Sequence, residues 1–172
     1  MRSTLSIDVQ APPEIVFGLA RDIERWPALL PHYLRVRVVE RHPDGSLLME
    51  MVAIRVLVRV IGLGLPVVWR ARTWNDPAAL GLRFVHRGGA TAGMDVTWRI
   101  ERQGEGSRVS IDHDFRPNLP APVGWAWATF IDRLFVRPIA TRTLAAFKAI
   151  AEATADIEQR WSDSANPANP SS

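Results

Sequence analysis

The chain has 172 residues, 47% of them apolar and 23% charged, proportions that suit one compact globular domain and exclude a wholly disordered or fibrous chain. Its net charge is +3. Twenty of the 21 basic residues are Arg, spread from Arg2 to Arg160 without the dense cluster that a nucleic-acid-binding face needs. The absence of Cys excludes disulfides, thiolate metal sites and Cys nucleophiles, and leaves the redox compartment open.

Met1 to Gln10 lacks the continuous apolar core of a signal peptide. Leu5, Ile7 and Val9 alternate there with Thr4, Ser6, Asp8 and Gln10, the pattern of a strand with one buried face. Ala11-Pro12-Pro13-Glu14 stops that strand and puts Pro at the start of a helix carrying Ile15, Val16 and Leu19. A second short helical turn is expected over Asp22 to Leu29, ended by Pro27 and Pro31. From Leu34 the period is two again, with Leu34, Val36 and Val38 on one face and Arg35, Arg37 and Arg41 on the other.

His42-Pro43-Asp44-Gly45 is a turn in which Pro and Gly set the dihedrals. A β-rich segment runs on to about Ile61, and Gly62-Leu63-Gly64-Leu65-Pro66 is expected to break it. Val67 to Trp74, Leu80 to Arg87, Met94 to Arg102 and Ser107 to Phe115 read as four more strands, joined by short turns and therefore antiparallel. After Pro117-Asn118-Leu119-Pro120 a helical pattern extends to about Trp161, bent at Pro138. Leu144, Phe147, Ile150, Thr154, Ile157 and Trp161 form its sheet-facing stripe.

The expected architecture is α+β. One strand, two short helices, six strands and one long helix build a curved seven-stranded antiparallel sheet around the C-terminal helix. A single domain over residues 1–161 is followed by a polar tail, 162–172, too poor in apolar groups to order itself. The apolar run from Leu47 to Trp69 is interrupted by Glu50, Arg55 and Arg59. Val123 to Phe135 is too short to span a bilayer and contains Asp132 and Arg133. A cytoplasmic protein without a transmembrane segment is therefore expected. One helix cannot cover the apolar face of seven strands, so a hollow is expected, and hollows of this kind take small ligands.

The order of elements, with Trp26-Pro27, Pro31-His32-Tyr33 and the terminal helix, resembles the START / birch-pollen-allergen superfamily and its helix-grip fold. Within it the chain looks most like the polyketide cyclase/dehydrase branch, over roughly residues 3 to 155. The motifs are Asp22-Ile23-Glu24-Arg25-Trp26-Pro27 with Tyr33, Trp69 in the fourth strand, and Gly93-Met94-Asp95-Val96-Thr97-Trp98 in the sixth. The resemblance implies that Trp26, Tyr33, Trp69 and Trp98 line a pocket suited to a flat conjugated or polycyclic ligand. Where the family's fourth strand carries a pocket-facing Ser and Arg after its Trp, this chain has Ala71 and Thr73. Arg70 and Arg72 fall on the opposite strand face.

The expected ligand-binding residues are Trp26, Trp69, Ala71, Thr73, Phe84, Met94, Trp98 and Phe115. For Trp69 and Trp98 two readings stay open: wall of a cavity, or filler of a core. The candidate catalytic residues are Tyr33, His86 and His113. Tyr33 either donates to a ligand carbonyl or leaves its hydroxyl in water. His113 is in phase with Val109, Ile111 and Phe115, and His86 with Leu82 and Phe84; each imidazole serves either as acid and base or as a hydrogen-bonded structural group. Asp95, Asp112 and Asp114 are out of phase and face outward. His32 adjoins Tyr33 near the mouth, and His42 belongs to a solvated turn. No metal-ligand spacing, phosphate loop or nucleophile elbow is present, so neither metal nor cofactor is expected.

Three functions compete. One is a cofactor-free polyketide cyclase/dehydrase that folds its substrate and moves protons through Tyr33, His86 or His113. Another is a non-catalytic carrier or sensor of an isoprenoid quinone or lipid, as the resemblance to coenzyme-Q-binding relatives implies; Ala71 and Thr73 favour it. The third is a packed interaction domain whose Trp125 and Trp127 form a contact patch or a membrane-dipping edge. The expected partner is a hydrophobic small molecule and not nucleic acid, with an acyl-carrier protein or a peripheral membrane surface as a further contact.

Overall fold

Alternating residues build β1 (Arg2–Val9), and Pro12-Pro13 then redirects the chain into α1 (Pro13–Arg21), a 3₁₀ turn (Ile23–Arg25) and α2 (Trp26–Leu29). Six strands follow: β2 (Tyr33–Arg41), β3 (Leu47–Val58), β4 (Leu63–Asp76), β5 (Gly81–Gly88), β6 (Met94–Gln103) and β7 (Gly106–Phe115). The last third is helical, with α3 (Val123–Ile131), a π-helical turn (Asp132–Val136) and α4 (Arg137–Ala165). The computed structural model describes residues 1–58 and 63–165.

The strands form one antiparallel sheet in the order β1-β7-β6-β5-β4-β3-β2. β1 and β2 lie at opposite edges because α1 and α2 carry the chain across the open side of the sheet. The long helix α4 packs over the same side, against β1, β3 and α1. This is the expected helix-grip arrangement. The core lies between: Val16, Phe17, Trp26 and Leu30 from the short helices, Met49, Leu82, Trp98 and Ile111 from the sheet, Leu144, Phe147 and Ala151 from α4.

Four local expectations need correction. Leu34 does not share the buried face of Val36 and Val38 but is 54% exposed, because a bulge between Tyr33 and Arg35 turns it outward. β4 begins at Leu63, so Leu63 to Pro66 belong to a strand and do not interrupt one; Ile61 and Gly62 lie outside the described residues. Pro66 is tolerated because β5 pairs only with Arg70–Asp76, leaving that end of β4 without a neighbour on one side. The sheet-facing stripe of α4 ends near Thr154: Ile157 and Trp161 are exposed where the helix outruns the sheet. Helix continues over Ser162 to Ala165, beyond the expected boundary at residue 161, and residues 166–172 lie outside the described part.

Pro138 has no N–H for the Leu134 carbonyl one turn earlier, and the π-helical turn falls just before it. Arg55 Nε of β3 donates to that carbonyl instead, at 2.7 Å, tying the sheet to the helix where the helix cannot satisfy itself. The convex face of the sheet is charged. Glu50, buried beneath three guanidiniums, accepts hydrogen bonds from Arg35, Arg37 and Arg70, and Arg72 bonds Asp44 and Ser46. Arg70 and Arg72 therefore point away from the concave side, as strand parity requires.

Candidate functional site

The space between sheet and α4 divides into a packed half and an open half. Trp26 fills the first. Its ring lies 5.2 Å from Tyr33, 5.6 Å from Trp98, 5.7 Å from Phe147 and 5.9 Å from Phe84, centroid to centroid. Its Nε1 donates to the Ala20 carbonyl at 3.0 Å, so the indole is buried without an unpaired donor. Trp98 also meets Phe147 edge-on at 5.8 Å. Trp98 thus belongs largely to the filler of the core, with one part of its surface on the cavity.

The open half is a cavity of about 90 Å³. Tyr33, Trp69, Phe84, Met94 and Trp98 wall it on the sheet side, and Phe135, Val136, Ile139, Ala140 and Thr143 on the helix side. Small-molecule sites commonly measure roughly 300–1,000 Å³. The hollow is present where it was expected, but it is smaller, because Trp26, Trp98 and Phe147 occupy the remainder. The helix side is the less regular of its two walls. That side is built on the π turn and Pro138, where the regular ladder of the long helix is interrupted.

Polar groups interrupt the apolar lining. Tyr33 is buried edge-on to Trp69 (6.0 Å), with its hydroxyl beside Thr143 and not in water. Burial pushes its phenol above the ordinary range, so it stays protonated and able to donate. His86 stacks on Trp69 (6.1 Å, 11° between planes), and its Nδ1 lies 2.6 Å from Thr91 Oγ1. Burial first, and the neighbouring His113 second, bring its pKa down to about 3. His113 is brought down to about 4, again chiefly by burial, although the carboxylate of Asp132 pulls the other way. Both imidazoles are neutral at pH 7. Nδ1 of His113 is buried and has no hydrogen-bond partner among the described residues, which leaves a nitrogen available beside the cavity.

Of the expected binding residues, Trp26, Trp69, Phe84, Met94 and Trp98 line the cavity; Ala71, Thr73 and Phe115 do not. Ala71 shares Trp69's strand face, but its methyl is buried under larger neighbours in the core. Thr73 sits two residues further toward α1 and bonds the Leu47 carbonyl, beside a separate surface hollow with Arg21 and Asp22. Phe115 is at the last position of β7, fully buried. All three expected catalytic residues reach the cavity. His32 does not: its Nε2 lies 2.9 Å from Thr143 Oγ1, in the core. His42 stays in its turn beside Glu40. Asp95 pairs outward with Arg83, and Asp112 with Thr4 and Arg99.

Sequence reasoning did not single out Thr91, Thr143 or Asp132. The two threonines look like ordinary loop and helix residues, and only the fold sets them against His86 and Tyr33. Asp132 was notable only as a charge in an apolar run, which was its signal. It is buried, accepts from Ser3 Oγ at 2.9 Å and Arg137 Nε at 2.7 Å, and so joins the first strand to the π turn beside His113.

Known proteins match this architecture. Residues 1–152 match the family described as polyketide cyclase / dehydrase and lipid transport. The chain is 29% identical over 117 residues to the actinorhodin polyketide synthase bifunctional cyclase/dehydratase of Streptomyces coelicolor. That match takes in 64% of this chain but only 33% of the relative, so the chain spans about a third of that protein's length. Among solved structures, the ZhuI aromatase/cyclase from Streptomyces sp. R1128 superposes with a TM-score of 0.71 at 18% identity, covering 88% of this chain and 93% of that one. A protein of Thermus thermophilus superposes with a TM-score of 0.69 at 23% identity, covering 90% of this chain and 99% of that one. Both are likenesses of fold. The chain belongs to the polyketide cyclase / dehydrase and lipid transport family and has the helix-grip fold.

Proposed function

We propose that the cavity binds a hydrophobic, aromatic or polycyclic small molecule, and that the protein acts on it as a cofactor-free cyclase/dehydrase. The observation that carries this reading is the presence of Tyr33, His86 and His113 in the lining of one largely apolar, aromatic-walled cavity. A poly-β-ketone already has acidic methylenes, so the protein needs chiefly to hold one conformer, polarise a carbonyl and move protons. In this reading a neutral imidazole, His113 through its free Nδ1 or His86, takes a proton from a methylene between two carbonyls. The enolate carbon then bonds to a second carbonyl carbon. The alkoxide formed there takes its proton from the Tyr33 hydroxyl, which the imidazolium reprotonates. Loss of water from the new alcohol completes a dehydration. The aromatic wall favours flat products, whose rings stack in offset or edge-on geometry.

A second reading, carriage of a quinone or lipid without chemistry, draws on a specific observation: among the described residues, no guanidinium or ammonium lines the cavity, and Ala71 and Thr73 supply none. Extraction of the purified protein with organic solvent and mass spectrometry of the extract separates the two. A retained aromatic polyketide supports cyclisation, and a retained quinone or lipid supports carriage. With a linear poly-β-ketone surrogate, Tyr33→Phe and His113→Ala should each lower turnover about 10²-fold or more, in the range of general acid–base effects, while circular dichroism is unchanged. Wild-type turnover in both variants would remove these groups from the mechanism.

A further inference from the structure

Val123, Trp127, Phe130 and Leu134 recur at intervals of four, three and four, which places them on one face of the α3–π-turn segment. That face does not pack on the protein. Val123 is 58% exposed and Phe130 47%, and Trp127 stacks on Phe130 with ring centroids 5.7 Å apart. The stripe adjoins the cavity: Phe130 meets Phe135, a cavity-lining residue, at 6.3 Å. It also adjoins the β3–β4 part of the sheet. Arg55 bonds the Leu134 carbonyl, and Leu65, its register partner on β4, is exposed on the same side.

The unanswered charge along this segment is positive. Among the described residues Arg133 and Arg142 pair with no carboxylate, whereas Arg116 pairs with Asp114 and Lys148 with Glu152. Asp132 is buried and answered by Arg137. Arg55 bonds backbone carbonyls, and among the described residues neither it nor Arg133 pairs with a carboxylate. Two copies of this chain meeting symmetrically through the rim would bring like charges together. An anionic lipid surface meets both features at once: indole and phenyl rings settle at the headgroup boundary, and guanidiniums pair with lipid phosphates.

We propose that this rim docks on an anionic lipid bilayer, so that the cavity mouth opens toward the membrane and a hydrophobic ligand passes between them without crossing water. The inference does not depend on whether the bound molecule is cyclised or carried.

The test is flotation of the full chain with vesicles of phosphatidylcholine, with and without phosphatidylglycerol, at low and high salt. The wild-type protein should float with the anionic vesicles only, and less at high salt. The double substitution Trp127→Ser/Phe130→Ser should lower partitioning about tenfold or more, given the apolar area removed. Arg133→Glu, at an exposed position, should lower it several-fold and weaken its salt dependence. No flotation of the wild type with anionic vesicles overturns the proposal, whatever the double variant does. So does undiminished flotation of a folded double variant. A wild-type dimer that becomes a monomer in the double variant, or capture of an acidic protein by this face without vesicle binding, would assign the rim to a protein interface instead.

Discussion

Trp26 and Trp69 are both buried aromatic residues on the same concave surface, yet the structure gives them different work, and truncation should separate them. Trp26 is 2% exposed, touches four aromatic rings and donates to the Ala20 carbonyl. Trp26→Ala removes those contacts and opens a void the surrounding rings cannot close, at a cost of about 3–5 kcal/mol. The Ala20 carbonyl loses its partner as well, which adds about 1 kcal/mol or more. Trp69 has two ring neighbours, Tyr33 and His86, and presents its remaining surface to a cavity that already exists. Its dispersion contacts are one-sided, so Trp69→Ala should cost only about 2–3 kcal/mol. Equilibrium urea unfolding followed by far-ultraviolet circular dichroism measures both without relying on Trp emission. If Trp26→Ala is too unstable to measure, Trp26→Phe keeps a ring, loses the N–H, and should still cost about 1–2 kcal/mol. Equal losses for the two alanine variants, or a larger one at Trp69, would refute the division of the interior into a packed half and an open half.

Stability should fall as the pH drops from 7 toward 4, because the unfolded chain takes up protons near 6.5 at histidines that the folded chain leaves neutral until about 4 at His113 and about 3 at His86. The contribution is complete above pH 6.5 and is lost progressively as the pH falls to the folded-state value; for His113 it is on the order of 3 kcal/mol. Urea midpoints at pH 7 and pH 5.5 should therefore differ in the wild type and differ less in His113→Gln, and equal slopes would contradict the assignment. Asp132→Ala should cost about 1–3 kcal/mol by unpairing Ser3 and Arg137, with amide exchange in β1 accelerated first. Unchanged protection of β1 would count against Asp132 as its anchor.

The strand pattern carries much of the site. Period-two alternation correctly placed His86, His113, Trp69 and Trp98 on the concave face and Arg70, Arg72 and Asp95 on the convex one, because a pleated strand leaves no third option. The exceptions are local and physical. Leu34 escaped its face through a bulge, and β4 began early because Pro66 lies where β5 has not yet joined. Cavity size was not legible, since it depends on rings far apart in the chain meeting one another: Trp26 from α2, Trp98 from β6 and Phe147 from α4. Ala71, Thr73 and Phe115 had the right parity, but parity alone does not say how far along a strand the cavity extends. The partners of the site's polar groups were hidden for the same reason. Thr143 meets His32, and Asp132 meets Ser3, only through tertiary contacts across more than a hundred residues.

Four methionines make the cavity directly observable: Met51 and Met94 line it, while Met1 and Met49 do not. Their ¹³C-labelled methyl groups can be followed by NMR during titration with a flat hydroxyanthraquinone. Saturable shifts at Met51 and Met94, with Met1 and Met49 unmoved, are the predicted result. No saturable shift at either lining methyl, or equal shifts at all four, would contradict a guest site between the aromatic wall and the long helix.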